Sequence, residues 1–267
     1  MNASPYPRES PLWNAVTRAV SSSLGLCELS HIPREPIDVA RARRQHRDYV
    51  RALQSVGCHV QSLPEESELP DSVFVEDVAI VLDEVAVLTR PGASSRRPEV
   101  ASVADLLRHH RPLRSIEAPA TLDGGDVLRV GRTLHVGQSA RSNPDGIMQL
   151  RELLIPYGYA VKGVPVRDCL HLKSAVTALS DDTVLLQPAW VDRACFADLR
   201  VIEVDPAEPH AANVLRVGDA LIMPASFPRT RGRLLAAGFK VTPVDVSELQ
   251  KAEGAVTCCS LVFRSDP

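Results

Sequence analysis

No stretch of this chain approaches the roughly 18 consecutive apolar residues that a membrane helix requires, so no spanning segment is expected. The opening Met-Asn-Ala-Ser-Pro-Tyr-Pro-Arg-Glu-Ser lacks the apolar centre of a secretory signal. Positive charge is not in excess either. Lys and Arg number 30 against 33 Asp and Glu, a formal net charge of −3, which removes the electrostatic argument for nucleic acid or a membrane surface as partner. The six cysteines (Cys27, Cys58, Cys169, Cys195, Cys258 and Cys259) lack zinc-finger spacing and are too sparse for a disulfide framework in 267 residues. A reduced, cytoplasmic setting is the expectation. No linker or low-complexity tract interrupts the chain, so residues 1–267 read as one domain, with residues 1–13 a loose lead-in.

What the chain does contain is repetition. Val127-Leu-Arg-Val-Gly131 recurs identically as Val214-Leu-Arg-Val-Gly218, and an apolar run follows each. Gly57, Gly158 and Gly238 each lead from a helical pattern into a strand-like one. The first of these helices is capped by Asp38 and runs through Val56; Cys58–Leu63 then reads as a strand. Val16–Val20 fits a strand or a short helix equally. Val78–Leu82 and Val85–Leu88 read as a hairpin, and Pro98 as the start of a helix through Leu107. Polar residues just ahead of a first strand align at Asp77, Asp126, Ser174, Asn213 and Cys259, spaced 49, 48, 39 and 46 residues. Each unit then reads strand, turn, strand, helix, strand. The fifth runs out of chain, and the N-terminal helix and strand complete it. Five such units close a ring with both termini in one unit.

In a closed ring, equivalent positions converge on the axis at one end. Glu76-Asp77, Asp123 to Asp126, His171 and Cys258 would therefore meet, although they lie up to 182 residues apart. A thiol, an imidazole and carboxylates together are the constellation that covalent catalysis requires. Side chains alternate along an extended chain, so of the adjacent Cys258 and Cys259 one should face a cleft and the other the interior.

Four ordered motifs, Phe74-Val-Glu-Asp77, Thr121-Leu-Asp-Gly-Gly-Asp126, Leu170-His-Leu-Lys173 and Thr257-Cys-Cys-Ser260, resemble those of the guanidine-modifying penteins. More narrowly, the chain is similar over essentially its whole length to the dimethylarginine dimethylaminohydrolase family. That resemblance implies a five-bladed α/β propeller of ββαβ units, in agreement with the repeats. It implies Cys258 as nucleophile, His171 as general acid and base, and Asp123 as the carboxylate orienting the histidine. It matches Glu76 and Asp77 to residues that bond the substrate guanidinium, and Asp71 to a further substrate-binding aspartate. Arg96 and Arg141 match a clamp on the substrate α-carboxylate, and Leu29 and Ala252 match positions that touch substrate through the backbone. Asp126 reads as a turn residue and Cys259 as packing.

The expected reaction is hydrolysis of N-ω-methylated arginines to citrulline and an amine through a covalent cysteine intermediate. No metal or organic cofactor is implied. The expected partner is a small-molecule methylarginine, with no nucleic acid and no membrane, and a homodimer is compatible with this. Two competing functions are an arginine or agmatine deiminase or amidinotransferase using the same chemistry, and a non-catalytic propeller that binds a partner.

Overall fold

The computed structural model describes residues 13–265. Residues 1–12 of the expected lead-in lie outside that range, and Trp13 already opens a strand. That strand, β1 (Trp13–Arg18), settles the open choice at Val16 in favour of extended chain. Helix α1 (Val39–Ser55) follows, its N-cap Asp38 accepting the Arg41 amide at 2.9 Å, a contribution of about 1 kcal/mol. Gly57, at φ 95°, turns the chain from α1 into β2 (Cys58–Leu63), a left-handed conformation that favours a residue without Cβ.

β3 (Ala79–Val81) and β4 (Ala86–Leu88) form the expected hairpin. Pro98 does not start a helix. It lies inside a tight helical turn, Ser94–Glu99, that runs into α2 (Val100–Leu107), and β5 (Leu113–Ser115) ends the unit. The next unit holds β6 (Val127–Val130), β7 (Thr133–Gln138), α3 (Pro144–Leu154) and β8 (Ala160–Pro165). A single turn, α4 (Leu172–Ala175), precedes β9 (Val176–Ala178), β10 (Thr183–Leu186) and β11 (Arg200–Glu203). Here the crossover is only a tight turn, Arg193–Phe196, and not the expected helix; part of this shortest repeat's connection is extended instead, Val191 pairing with Val166 as an isolated bridge. Then come β12 (Leu215–Val217), β13 (Ala220–Pro224), α5 (Pro228–Ala236) and β14 (Lys240–Val244). The one-turn α6 (Ser247–Gln250) and the final strand β15 (Leu261–Arg264) complete the chain.

The strands form five three-stranded sheets. In each, the second strand of the unit pairs antiparallel with the first and parallel with the third. The last sheet has the order β15-β1-β2, with Trp13 opposite Arg264 and Cys58, so the two ends of the chain share one blade. The architecture is a five-bladed α/β propeller. The helices bury one face against the sheets: Ala42, Tyr49, Ala52 and Leu53 of α1 join the cluster holding Leu249, Val256 and Cys259. Tyr49, fully buried, keeps its hydroxyl satisfied at 2.6 Å from Ser260 Oγ.

Side chains of all five first strands, β3, β6, β9, β12 and β15, line a central cavity of about 530 Å³. A second, smaller cavity lies among the turns that precede those strands, and there the polar residues of the repeats collect. No helix among the described residues is long and apolar enough to cross a membrane.

Candidate active site

Two tight turns enter the axis side by side, Val75–Val78 ahead of β3 and Gly124–Asp126 ahead of β6. They approach closely because of the glycines. The Gly125 amide donates to Asp77 Oδ1 at 2.9 Å, and a Cβ at that position would lie 2.5 Å from His171 Nδ1. Any other residue would displace the imidazole. His171 itself stands at the start of α4, 4 % exposed, with Nε2 3.0 Å from Asp123 Oδ2 and Nδ1 3.8 Å from Asp77 Oδ1. Asp123 is held in turn by the Gly92 amide, which donates to its other oxygen at 2.8 Å. Asp126 accepts the Ser139 and Ser142 hydroxyls at 2.5 and 2.6 Å and the Leu172 amide at 2.9 Å, which fixes the backbone next to His171.

Cys258 lines the same cavity as His171, Asp71, Asp77, Arg141 and Ala252. Cys259 is fully buried, and its thiol donates to the Ala255 carbonyl. One cysteine thus faces the cleft and the other the core, as expected, but for a different reason. Residues 256–259 form a turn, so the separation comes from the bend and not from strand alternation.

Burial, and then the nearby carboxylates of Glu76 and Asp77, push the Cys258 thiol up to about 12, so the resting thiol is protonated. Burial alone would depress His171. The charge of Asp77 and the hydrogen bond to Asp123 outweigh it and raise His171 to about 9, which makes it an imidazolium at neutral pH. Burial opposes ionisation of Asp77, but His171 and Arg96 hold its carboxyl at about 2. Asp77, Asp123 and His171 offer ligand atoms within 4.8 Å of one another. Their charges are balanced by protein cations instead: Asp77 pairs with Arg96 and His171 with Asp123.

Three of the expected contacts are placed differently. Arg96 reaches the cavity but is not an open clamp. It donates to Asp77 Oδ2 at 2.5 Å, to both oxygens of Glu99 at 3.1 and 2.8 Å, and to the carbonyls of Asp71 and Phe74. A guanidinium so engaged cannot turn its fork to a ligand without breaking a buried ion pair. Arg141, by contrast, keeps most of its donors: Nη1 is 3.9 Å from Asp123 Oδ2 and Nη2 3.4 Å from Ser30 Oγ. Glu76 does not line the smaller cavity. Its carboxylate accepts Lys173 Nζ at 2.5 Å and Thr257 Oγ1 at 2.7 Å, and it borders the central cavity on the far side. Leu29 packs against the core, and its neighbour Glu28 lines the site. Asp71 and Ala252 line it as expected, Asp71 accepting the Glu28 amide at 3.0 Å.

Sequence reasoning left Lys173, Asn213 and Thr257 without roles. The Asn213 side chain accepts the Thr257 amide at 3.1 Å and donates to Thr257 Oγ1 at 3.0 Å and to the Lys173 carbonyl at 3.1 Å. The signal was the shared repeat position ahead of each first strand. Together with Glu76 these residues wall the central cavity off from the thiol. That cavity is the larger of the two, yet neither Cys258 nor His171 lines it.

Comparison with known proteins points to one family. A family profile described as N,N dimethylarginine dimethylhydrolase, eukaryotic, matches residues 32–263. The N(G),N(G)-dimethylarginine dimethylaminohydrolase of Streptomyces coelicolor is 41 % identical over 255 residues, covering 95 % of this chain and 98 % of its own. The enzyme of the same name from Pseudomonas aeruginosa is 38 % identical over 228 residues, covering 85 % and 90 %. The crystal structure of a cysteine-to-serine variant of the Pseudomonas aeruginosa protein, complexed with citrulline, superposes with a TM-score of 0.89 at 35 % identity, covering 94 % of this chain and 98 % of that one.

Two expectations test the electrostatics. In the unliganded protein the His171 ring, followed by NMR after histidine labelling, should titrate near pH 9, and Asp77→Asn should move it down. A folded-state pKa raised above the usual 6.5 contributes stability that is present below about pH 6.5 and is lost as pH rises through about 9. A wild-type titration near 6.5 would contradict the arrangement. Secondly, Arg96→Ala strands Asp77 and Glu99 and should cost roughly 3–5 kcal/mol in denaturant unfolding, whereas Arg141→Ala should cost under about 1 kcal/mol. Equal losses would show that Arg96 is not the structural partner described.

Proposed function

The chain belongs to the dimethylarginine dimethylaminohydrolase family of hydrolases, and from that premise we propose that it converts asymmetric dimethylarginine and monomethylarginine to citrulline, releasing dimethylamine or methylamine. The observation that carries the reading is the meeting of Cys258 with the His171–Asp123 pair in one acid-walled cavity.

A guanidinium is a poor electrophile because its charge is delocalised over three nitrogens. Carboxylates that fix its plane select for it, and Asp77 and Asp71 face the cavity for that task. Glu76 acts from behind, its charge shared with Lys173. Entry of a cation beside Cys258 compensates the carboxylates that hold the thiol protonated, so substrate itself favours the thiolate, and the thiol proton leaves to solvent because His171 already carries its own. The thiolate attacks the central guanidino carbon. His171, already an imidazolium, gives its proton to the departing amine as the C–N bond breaks. An S-alkylthiouronium remains on Cys258. Neutral His171, oriented by Asp123, then takes a proton from water, and the resulting hydroxide adds to the same carbon. The C–S bond breaks as the new hydroxyl gives its proton to the departing sulfur, and citrulline leaves with Cys258 again a thiol and His171 again an imidazolium.

Arg141 is the open fork for the substrate α-carboxylate, and Arg96 contributes by holding Asp77. The Ala252 amide is already bonded to the Leu249 carbonyl at 3.0 Å, so Ala252 has a carbonyl to offer, an acceptor suited to the α-ammonium; Leu29 fills the corresponding role on the facing loop. The substrate is a small molecule. A homodimer and a cytoplasmic location belong to the same proposal.

The decisive comparison is between adjacent thiols. Cys258→Ser should abolish turnover of asymmetric dimethylarginine, since an alkoxide is far harder to form than a thiolate, while Cys259→Ser should stay folded and active. His171→Gly should lose about 10² to 10⁴-fold in kcat. An active Cys258→Ser protein, or two folded and equally dead cysteine variants, would overturn the assignment.

A further inference from the structure

The loop at the outer end of the cavity is gripped by one side chain that has no role in the catalytic scheme. Glu253 sits at φ 57°, a left-handed conformation that L residues adopt at a cost. Its carboxylate accepts the Ser30 amide at 3.0 and 3.1 Å, the Ile32 amide at 2.9 Å, the Ser30 hydroxyl at 3.4 Å and, in addition, the His31 amide. Three successive N–H groups thus converge on one anion, a set of charge-assisted bonds between segments over 220 positions apart. The loop is drawn inward at a second point, where the Glu28 amide donates to Asp71. Beneath Glu253 the turn packs closely on Phe74. Gly254 packs so close to Phe74 that a Cβ would lie 2.1 Å from the ring.

The positions matter. Glu253 directly follows Ala252, and Ser30 directly follows Leu29, the two residues whose backbone is proposed above to meet the substrate's amino-acid head. We infer that Glu253 is a positioning residue for substrate binding: its carboxylate latches the Glu28–Ile32 loop onto the Ala252–Gly254 turn and sets the spacing between those two backbone contacts. Glu253 borders the same cavity, but its carboxylate is taken up by the loop's donors and by none of Cys258, His171 and Asp123, so it acts on affinity and leaves chemistry to Cys258 and His171. The inference rests on the proposed function for its substrate and on the hydrogen bonds for its latch.

The test has two arms, run on wild type, Glu253→Ala and Glu253→Gln. Amide hydrogen exchange at Ser30, His31 and Ile32 reads the latch without reference to activity. Steady-state kinetics with asymmetric dimethylarginine read its consequence. Glu253→Ala should speed exchange at these amides about tenfold or more and raise KM by a similar factor, with kcat changed less than about threefold. Glu253→Gln, which keeps an oxygen acceptor without the charge, should fall between, and it serves if the alanine variant does not fold. Unchanged exchange would overturn the latch. Faster exchange with an unchanged KM, or a loss confined to kcat, would overturn the positioning role. A wild type that does not turn over asymmetric dimethylarginine would sink the proposed function, and exchange alone would then decide whether Glu253 holds the loop.

Discussion

A carboxylate taken out of water must be paired or hydrogen-bonded, and this protein buries Asp71, Glu76, Asp77, Asp123 and Asp126 at one end of a single axis, each under a tenth exposed. Removing one partner from such a pair costs about 3–5 kcal/mol, so the arrangement stands only because every acid is answered. Arg96 answers Asp77, Lys173 answers Glu76, His171 answers Asp123, the Glu28 amide answers Asp71, and hydroxyls and an amide satisfy Asp126. Because Glu76, Asp123 and Asp126 meet Lys173, His171 and the Leu172 amide from another unit, those pairings also hold the blades in register. The site and the centre of the fold are one network.

That network decides the state of the thiol. Cys258 is buried beside the Glu76 and Asp77 carboxylates, and burial first, then their charge, keeps it neutral in the absence of ligand. In the proposed function, a cysteine protected in this way reacts when a cation of the right shape enters beside it. Under that proposal, selectivity for a guanidinium and activation of Cys258 have the same cause. The wall of Glu76, Lys173, Thr257 and Asn213 keeps the large central cavity apart from this chemistry, which confines the reacting groups to the smaller one.

How much of this was legible in the letters follows from range. The duplicated Val-Leu-Arg-Val-Gly element and the glycines at positive φ are local features, and each reported its blade correctly. That Cys258, His171 and Asp77 gather at one cavity was readable through the motifs, because the repeats bring equivalent positions together. Charge closure was not readable. Arg96 looks like a clamp in one dimension, and only its bonds to Asp77 and Glu99 show that its fork is already taken. Glu76 likewise looks like a ligand contact until Lys173 appears beside it. The bend at residues 256–259 defeated the alternation argument while leaving its outcome intact, since a turn separates adjacent side chains as well as a strand does. Glu253 gave no signal at all, because its partners sit at the other end of the chain.

The central claim is that Cys258 is a protonated thiol until a cation arrives. The ultraviolet absorbance of thiolate, recorded across pH with Cys258→Ser subtracted, measures this in the unliganded protein. Thiolate should be absent at neutral pH and appear only well above the usual cysteine value of about 8.5. A full thiolate signal at pH 7 without ligand would contradict the account, because it would mean that His171 and Cys258 form an ion pair on their own and that the acids around them do not govern the nucleophile.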